Sequence, residues 1–228
     1  MKQIITILLS LSYALTIGAQ QAVDLGLSVN WADRNIGANS PEEAGLYVAW
    51  GELESKETYT LDNYRFGDGN FFNPSKYIVE TGESLTETDH KKFLDSLDDI
   101  ATVTLGNGWR MPTYAEIGEL AEKCQWQWDE TQKGYRVTGQ NGNSIFIPTT
   151  GYYNEDTLYF GDIEGYYWSN ELDPYQTDYA RTLRFTPRVV HHENFYEAPL
   201  TSQAKSISHP WKRHGKGTKG ENEMELSC

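Results

Sequence analysis

A proline followed by threonine, with glutamate three residues later, fixes a helix start inside Gly108-Trp109-Arg110-Met111-Pro112-Thr113-Tyr114-Ala115-Glu116. The Thr113 hydroxyl is placed to accept from the Glu116 backbone N–H. The Glu116 carboxylate is placed to reach back to the N–H of Thr113, which completes a capping box. Pro112 cannot be continued backwards as helix, so the start is set from both sides. Ile117, Leu120, Ala121 and Cys124 then recur at helical spacing and give one apolar face. Trp109, just upstream, is the expected anchor for that face. Any fold for this chain must seat this helix on a core.

The 228 residues suffice for one domain or two small ones, with a real hydrophobic core. Nineteen basic against 33 acidic residues leave a net charge of −14. That balance argues against a nucleic-acid backbone as partner, since phosphates are held by clustered Lys and Arg. It suits an anionic lipid surface equally poorly. Seven Trp and 15 Tyr are many for the size, and an acidic, aromatic surface suits a neutral partner such as a glycan, or a cation.

At the start, Lys2 precedes an apolar run from Ile4 to Ile17, and Gly18-Ala19 supply small residues before Gln20. This is the pattern of a secretory signal peptide over residues 1–19. A membrane anchor is the weaker reading, because a bilayer span needs about 20 apolar residues. No later stretch is apolar enough to span, so no membrane span is expected after cleavage.

Alternation predicts a half-buried strand over 23–32 and a second over 46–52. Residues 55–76 read as loop. Phe93, Leu94, Leu97 and Ile100 predict an amphipathic helix over 86–101. Strands over 135–139 and 144–148 flank Asn141-Gly142, the strongest hairpin signal in the chain. Further short strands are expected at 149–153, 157–160, 165–169 and 180–185. From residue 197 the alternation stops, and 197–228 reads as a divergent, disordered tail.

Several blocks in order carry a family likeness. They are Val23-Asp24-Leu25-Gly26-Leu27-Ser28-Val29 with Trp31-Ala32, Asn35-Ile36-Gly37-Ala38, Tyr47-Val48-Ala49-Trp50-Gly51-Glu52, Asp98-Asp99-Ile100-Ala101, the Trp109–Thr113 helix entry, Gly142–Pro148, and Gly165-Tyr166-Tyr167-Trp168-Ser169. Over residues 22–196 the chain resembles the Fibrobacter succinogenes major paralogous domain family, common in exported proteins of gut Bacteroidetes. That family is distantly related to the formylglycine-generating enzyme. The resemblance implies an α+β, C-type lectin-like domain of short twisted antiparallel strands with one or two packed helices. It makes Trp109, Arg110, Pro112, Thr113, Glu116 and Trp168 structural, and it implies no established activity. Two family cysteine positions hold Arg34 and Ile78 here, and the family's closing strand has no counterpart after Tyr196.

The remaining chemistry is sparse. Cys124 reads as a buried free thiol, and the copper-binding cysteine pair of the formylglycine-generating enzyme is absent from residues 166–196. Adjacent His191 and His192 would face opposite sides of a strand, and zinc-ligand spacing is missing. No Gly-x-Ser-x-Gly elbow occurs. Calcium, which takes six to eight oxygens from loops, is the one metal the acidic turns suit, through Asp156, Asp162, Glu164, Asp173 and Asp178. A glycosidase would need two facing carboxylates; only Glu52 beside Trp50, and Glu171 beside Trp168, sit in aromatic company. Aromatic faces stack on sugar rings, which nominates Tyr152, Tyr153, Tyr166 and Tyr175, with Glu171, as ligand-binding candidates, and Trp126 and Trp128 as further exposed rings. The expectation is an exported, non-enzymatic module that binds a glycan or an extracellular protein. A secreted carbohydrate-active hydrolase and a structural or assembly subunit are the alternatives.

Overall fold

The computed structural model describes residues 20–67, 75–78, 89–106, 108–174 and 179–190, with the backbone of 191, 197–199, 204–206 and 212–213. The expected signal peptide lies outside the described residues. Within them, short antiparallel strands in small sheets combine with two helices, and the class is α+β. No helix among them is long and apolar enough to cross a membrane.

The stretch expected as one strand over 23–32 folds back on itself. β1 (Ala22–Val23) pairs antiparallel with β2 (Val29–Ala32), placing Val23 opposite Trp31. Gly26 makes the reversal at φ +75°, a left-handed conformation that favours glycine, and its N–H donates to the Asp24 carboxylate at 2.7 Å. Leu25 and Leu27 are thereby turned into the core. β3 is shorter than expected, only Tyr47–Val48, because Gly51 at φ +76° bends the chain away.

The helix expected over 86–101 is not formed across 89–99; α1 runs over Ile100–Leu105 instead. Asp99 is its N-cap and accepts from the Thr102 N–H at 3.0 Å, so the helix starts where the predicted one should have ended. Leu97 is 79% exposed and Phe93 52%, so the helical spacing there was fortuitous.

α2 (Tyr114–Lys123) matches the expectation, with both halves of the capping box made between Thr113 and Glu116. Arg110 clamps the same carboxylate, Nη1 to Oε2 at 2.8 Å and Nη2 to Oε1 at 2.5 Å. Ile117 and Leu120 are buried, but Trp109 is not the anchor. It is half-buried outside both core clusters, and Met111 fills the interior place beside Pro112.

β4 (Gln125–Asp129), β5 (Gly134–Thr138) and β6 (Ser144–Pro148) form a meander, its second turn built on Asn141 and Gly142 as expected. β7 (Tyr152–Asn154) and β8 (Thr157–Tyr159) form a hairpin. β9 (Gly165–Leu172) and β10 (Tyr179–Thr186) are the longest strands and pair with each other, with a register shift between Ala180 and Thr182. β11 (Val189–His191) extends β10.

Residues expected to lie in a loose tail contribute three short ladders. β12 (Glu197–Pro199) pairs with β10, β13 (Ala204–Ser206) joins β3 to β7, and β14 (Lys212–Arg213) pairs with β2. The residues between and after them lie outside the described set.

Two cores flank β9. One gathers Ile36, Trp50, Tyr77, Ile100, Met111 and Trp168. The other gathers Leu25, Trp31, Ile117, Val137, Tyr167 and Phe185. Successive side chains of a strand point to opposite faces, so Tyr167 enters one core and Trp168 the other. Each ring is held by its polar atom: Tyr167 Oη donates to Pro148 O at 2.6 Å and Trp168 Nε1 to Val48 O at 3.2 Å.

Candidate functional site

The β7–β8 hairpin carries an aromatic platform. Tyr152 stacks on Tyr159 across the pair with ring centroids 5.7 Å apart, and Phe160 lies 5.9 Å from Tyr152. Directly opposed residues on one face of an antiparallel pair are the ones that meet, and Tyr152 is opposite Tyr159 in the register. Tyr159 is 41% and Phe160 45% exposed, and the exposed apolar residues Leu158 and Ile163 belong to the same segment.

The platform is built on strained and tightly packed backbone. Phe160 sits at φ +56°, a region that costs a bulky residue on the order of 1 kcal/mol or more. Its carbonyl oxygen accepts from the N–H groups of Ile163 and Glu164 at 3.1 and 3.0 Å, which closes the turn and holds the ring outward. Gly151, at φ +58°, lets the chain pass against Tyr159 and Gly161, where a Cβ would overlap their backbone.

Beneath it, Tyr166 makes an edge contact with Tyr152 at 5.1 Å. Tyr166 Oη donates to Glu164 Oε2 at 2.5 Å, and Arg184 grips the same carboxylate through Nε at 2.8 Å and Nη2 at 2.9 Å. Burial, then the Glu164 hydrogen bond, pushes the Tyr166 phenol well above its ordinary range, so this hydroxyl stays protonated and donating.

The sequence candidates divide accordingly. Tyr152 is on the platform and Tyr166 supports it from below. Tyr153 points the other way, into Tyr47 at 5.0 Å and Tyr59 at 5.8 Å. Glu171 serves α2: its Oε1 accepts from the Tyr114 N–H at 3.0 Å, placing a carboxylate at the helix N-terminus. Tyr175 lies outside the described residues. Trp126 and Trp128 are half-buried on the second core, both in edge contact with Tyr135. Trp168 and Pro112 are buried, consistent with a structural role.

Of the five carboxylates nominated for calcium, the four among the described residues do not gather as a metal site. Glu164 is taken by Arg184 and Tyr166, Asp173 lies 3.8 Å from Arg181, Asp156 accepts from the Thr157 hydroxyl, and Asp178 is outside the described residues. Among the described residues no three His, Cys, Asp or Glu side chains gather as a metal site. The two buried members, Glu164 and Asp173, face the Arg184 and Arg181 side chains, which offset the negative charge a calcium ion would need.

Tyr159 and Phe160 were missed in the sequence. Their signal was present as Thr157-Leu158-Tyr159-Phe160 following an acidic turn, but a short strand with no opposing partner identified does not show which face its rings take. A second feature lies at Glu52, in a concavity of about 350 Å³ that Glu54, Lys56, Asn63 and Arg65 also line. Glu52 is 5% exposed, and its Oε1 accepts from Lys56 Nζ at 2.6 Å and from the Arg65 N–H at 2.8 Å. Its Oε2 is buried with no hydrogen-bond partner among the described residues, a state that costs about 1–3 kcal/mol.

Comparison with family models, with curated proteins and with solved structures gives no match to this chain.

Proposed function

We propose that the protein is an exported, non-enzymatic binding module with a C-type lectin-like domain, which holds a glycan at the cell surface or outside the cell. The observation that carries the reading is the Tyr152–Tyr159–Phe160 platform: three rings on one hairpin, two of them open to solvent, one on strained backbone. Flat apolar faces of this kind match the C–H faces of pyranose rings, and strain at an exposed aromatic is a signature of binding sites. The leader-like start and the ordered family blocks support export and the lectin-like reading. The net charge of −14 supports a neutral ligand over a nucleic acid.

A glycan array with the mature chain tests this against the double variant Tyr159→Ala, Phe160→Ala. Wild-type protein is expected to bind at least one glycan class, and the variant to lose tenfold or more with its fold intact. No glycan above background, or equal binding by the variant, overturns the reading. Exposed Ile163 adds apolar area to the turn that carries Phe160, which favours an extracellular protein as the second choice of ligand. A pull-down sensitive to the same substitutions would select it.

A further inference from the structure

We infer that the concavity at Glu52 is a second, separate subsite, which takes one neutral sugar residue through a pair of adjacent hydroxyls. The inference shares only its ligand class with the glycan reading and does not depend on the aromatic platform.

The argument begins with the orphaned acceptor. Buried polar atoms in folded proteins nearly always have partners, and Glu52 Oε2 has none among the described residues although Oε1 has two. Gly51 at φ +76° bends the chain immediately before Glu52, and the Glu52 N–H donates to Ala49 O at 3.0 Å. The carboxylate is thus placed by a rigid bend, with its Oε1 fixed by Lys56 from the following turn.

Charge then selects the ligand. Lys56 neutralises Glu52, and Arg65 Nη1 is 3.0 Å from Asp98 Oδ1, a carboxylate it shares with Lys76, so neither Glu52 nor Arg65 stands as an uncompensated charge. A metal cation would meet the Lys56 ammonium, and an anion would meet exposed Glu54 at the rim. A neutral O–H donor has neither penalty. Arg65 is half-exposed, and one of its five guanidinium N–H donors is needed for the Asp98 contact. The concavity therefore offers an acceptor, Glu52 Oε2, and donors on Arg65. Vicinal hydroxyls match that set, one donating to the carboxylate while its neighbour accepts from the guanidinium. Leu53 supplies an apolar wall, and the volume sits near the small end of ligand sites, roughly 300–1,000 Å³.

The loop that forms this subsite is fastened to the platform hairpin. The Tyr59 N–H donates to Glu155 O at 3.0 Å, at the β7–β8 turn, while Tyr59 Oη accepts from the Lys56 N–H at 2.9 Å.

The test is a titration of the mature full-length chain with glucose, galactose, mannose and xylose, read by ligand-observed NMR, with glucosamine and inorganic phosphate as charged comparisons. At least one neutral aldose is expected to saturate, with phosphate silent and glucosamine no tighter than glucose. Glu52→Gln, which replaces the acceptor by an amide, is expected to weaken binding tenfold or more. Arg65→Ala is expected to do likewise; Asp98 then keeps Lys76 and Tyr77 as partners, and a thermal melt of both variants separates lost binding from lost fold. No saturable aldose, or unchanged binding in both variants, overturns the subsite. Glycan binding that depends on Tyr159 and Phe160 but not on Glu52 also overturns it while leaving the platform standing. Aldose binding lost with Glu52, beside array binding indifferent to Tyr159 and Phe160, sustains the subsite and removes the platform reading.

Discussion

Asp98 and Asp99 are neighbours that the fold drives in opposite directions. Burial would raise the Asp98 carboxyl, but hydrogen bonds from Lys76 and Tyr77, with the charges of Lys76 and Arg65, hold it below the ordinary carboxylate range. At Asp99 burial prevails over the N–H groups of Met111, Thr102 and Ala101, and the carboxyl is pushed up. A lowered folded pKa means that Asp98 stabilises the fold above its unfolded value of about 3.9, and that this is lost as pH falls through the lower folded value. Asp99 acts with the reverse sign: its ionised form opposes folding, so that cost is relieved as pH falls through its raised value. Stability should therefore hold or rise slightly on first acidification, then drop below about pH 4 as Asp98 protonates. Urea midpoints measured from pH 7 to pH 3 check this. Asp98→Asn should cost about 2 kcal/mol at neutral pH, the scale of a lost charged hydrogen bond, and should flatten the acid limb. An acid limb unchanged in that variant would show that the Lys76–Tyr77–Asp98 network is not its source.

The turn after β8 stores strain at an exposed ring. Phe160 at φ +56° is costlier there than glycine would be. Phe160→Gly should leave stability unchanged or raise it by about 0.5–1 kcal/mol, while glycan binding falls, because the ring is removed as the strain is relieved. A thermal melt and a binding titration on the same sample separate the two. A large loss of stability would mean that the Phe160 ring is a packing element and not a binding one. Elements fixed by local chemistry were legible in advance. The Thr113–Glu116 box and the Asn141-Gly142 turn each need only three or four residues to act, and both are present. Elements decided by distant partners were not. Residues 89–99 carry helical spacing, but the Leu94 N–H goes to Asn170 O at 2.9 Å and Asp98 is held by Lys76 and Tyr77, so tertiary partners outbid the local helix. β4 was overlooked although Gln125-Trp126-Gln127-Trp128 alternates, because its ladder partner Arg136 lies beyond a turn without a strong signal. At the candidate site, Tyr152, Tyr153 and Tyr166 were all named, and the structure turns Tyr153 toward Tyr47 and Tyr59. A strand's period shows which residues share a side, and only the partner sheet shows which side is buried.

At the scale of the molecule, β9 decides whether the two cores are one unit. Trp168 is fully buried in the first core, where Trp50 Nε1 donates to Ser169 O at 2.9 Å. Tyr167 lies in the second core with Phe185 stacked at 6.0 Å. Gly165 is needed at the start of the strand because any Cβ there would overlap the Phe185 ring. Neither core can open without stripping one face from the strand that walls the other, so the two should melt together. Trp168→Ala should cost about 3–5 kcal/mol, the usual range for a buried aromatic, against a total for a domain of about 5–15 kcal/mol. The loss should appear as one earlier transition in calorimetry, with calorimetric and van't Hoff enthalpies equal. Hydrogen exchange supplies the residue-level form of the same test. Amides of β5 and β6, which belong to the second core, should lose protection in step with α1, which packs on the first. If β5 and β6 keep wild-type protection while α1 opens, the cores are separate folding units. The link would then lie in the loops, and β9 would be a boundary between them.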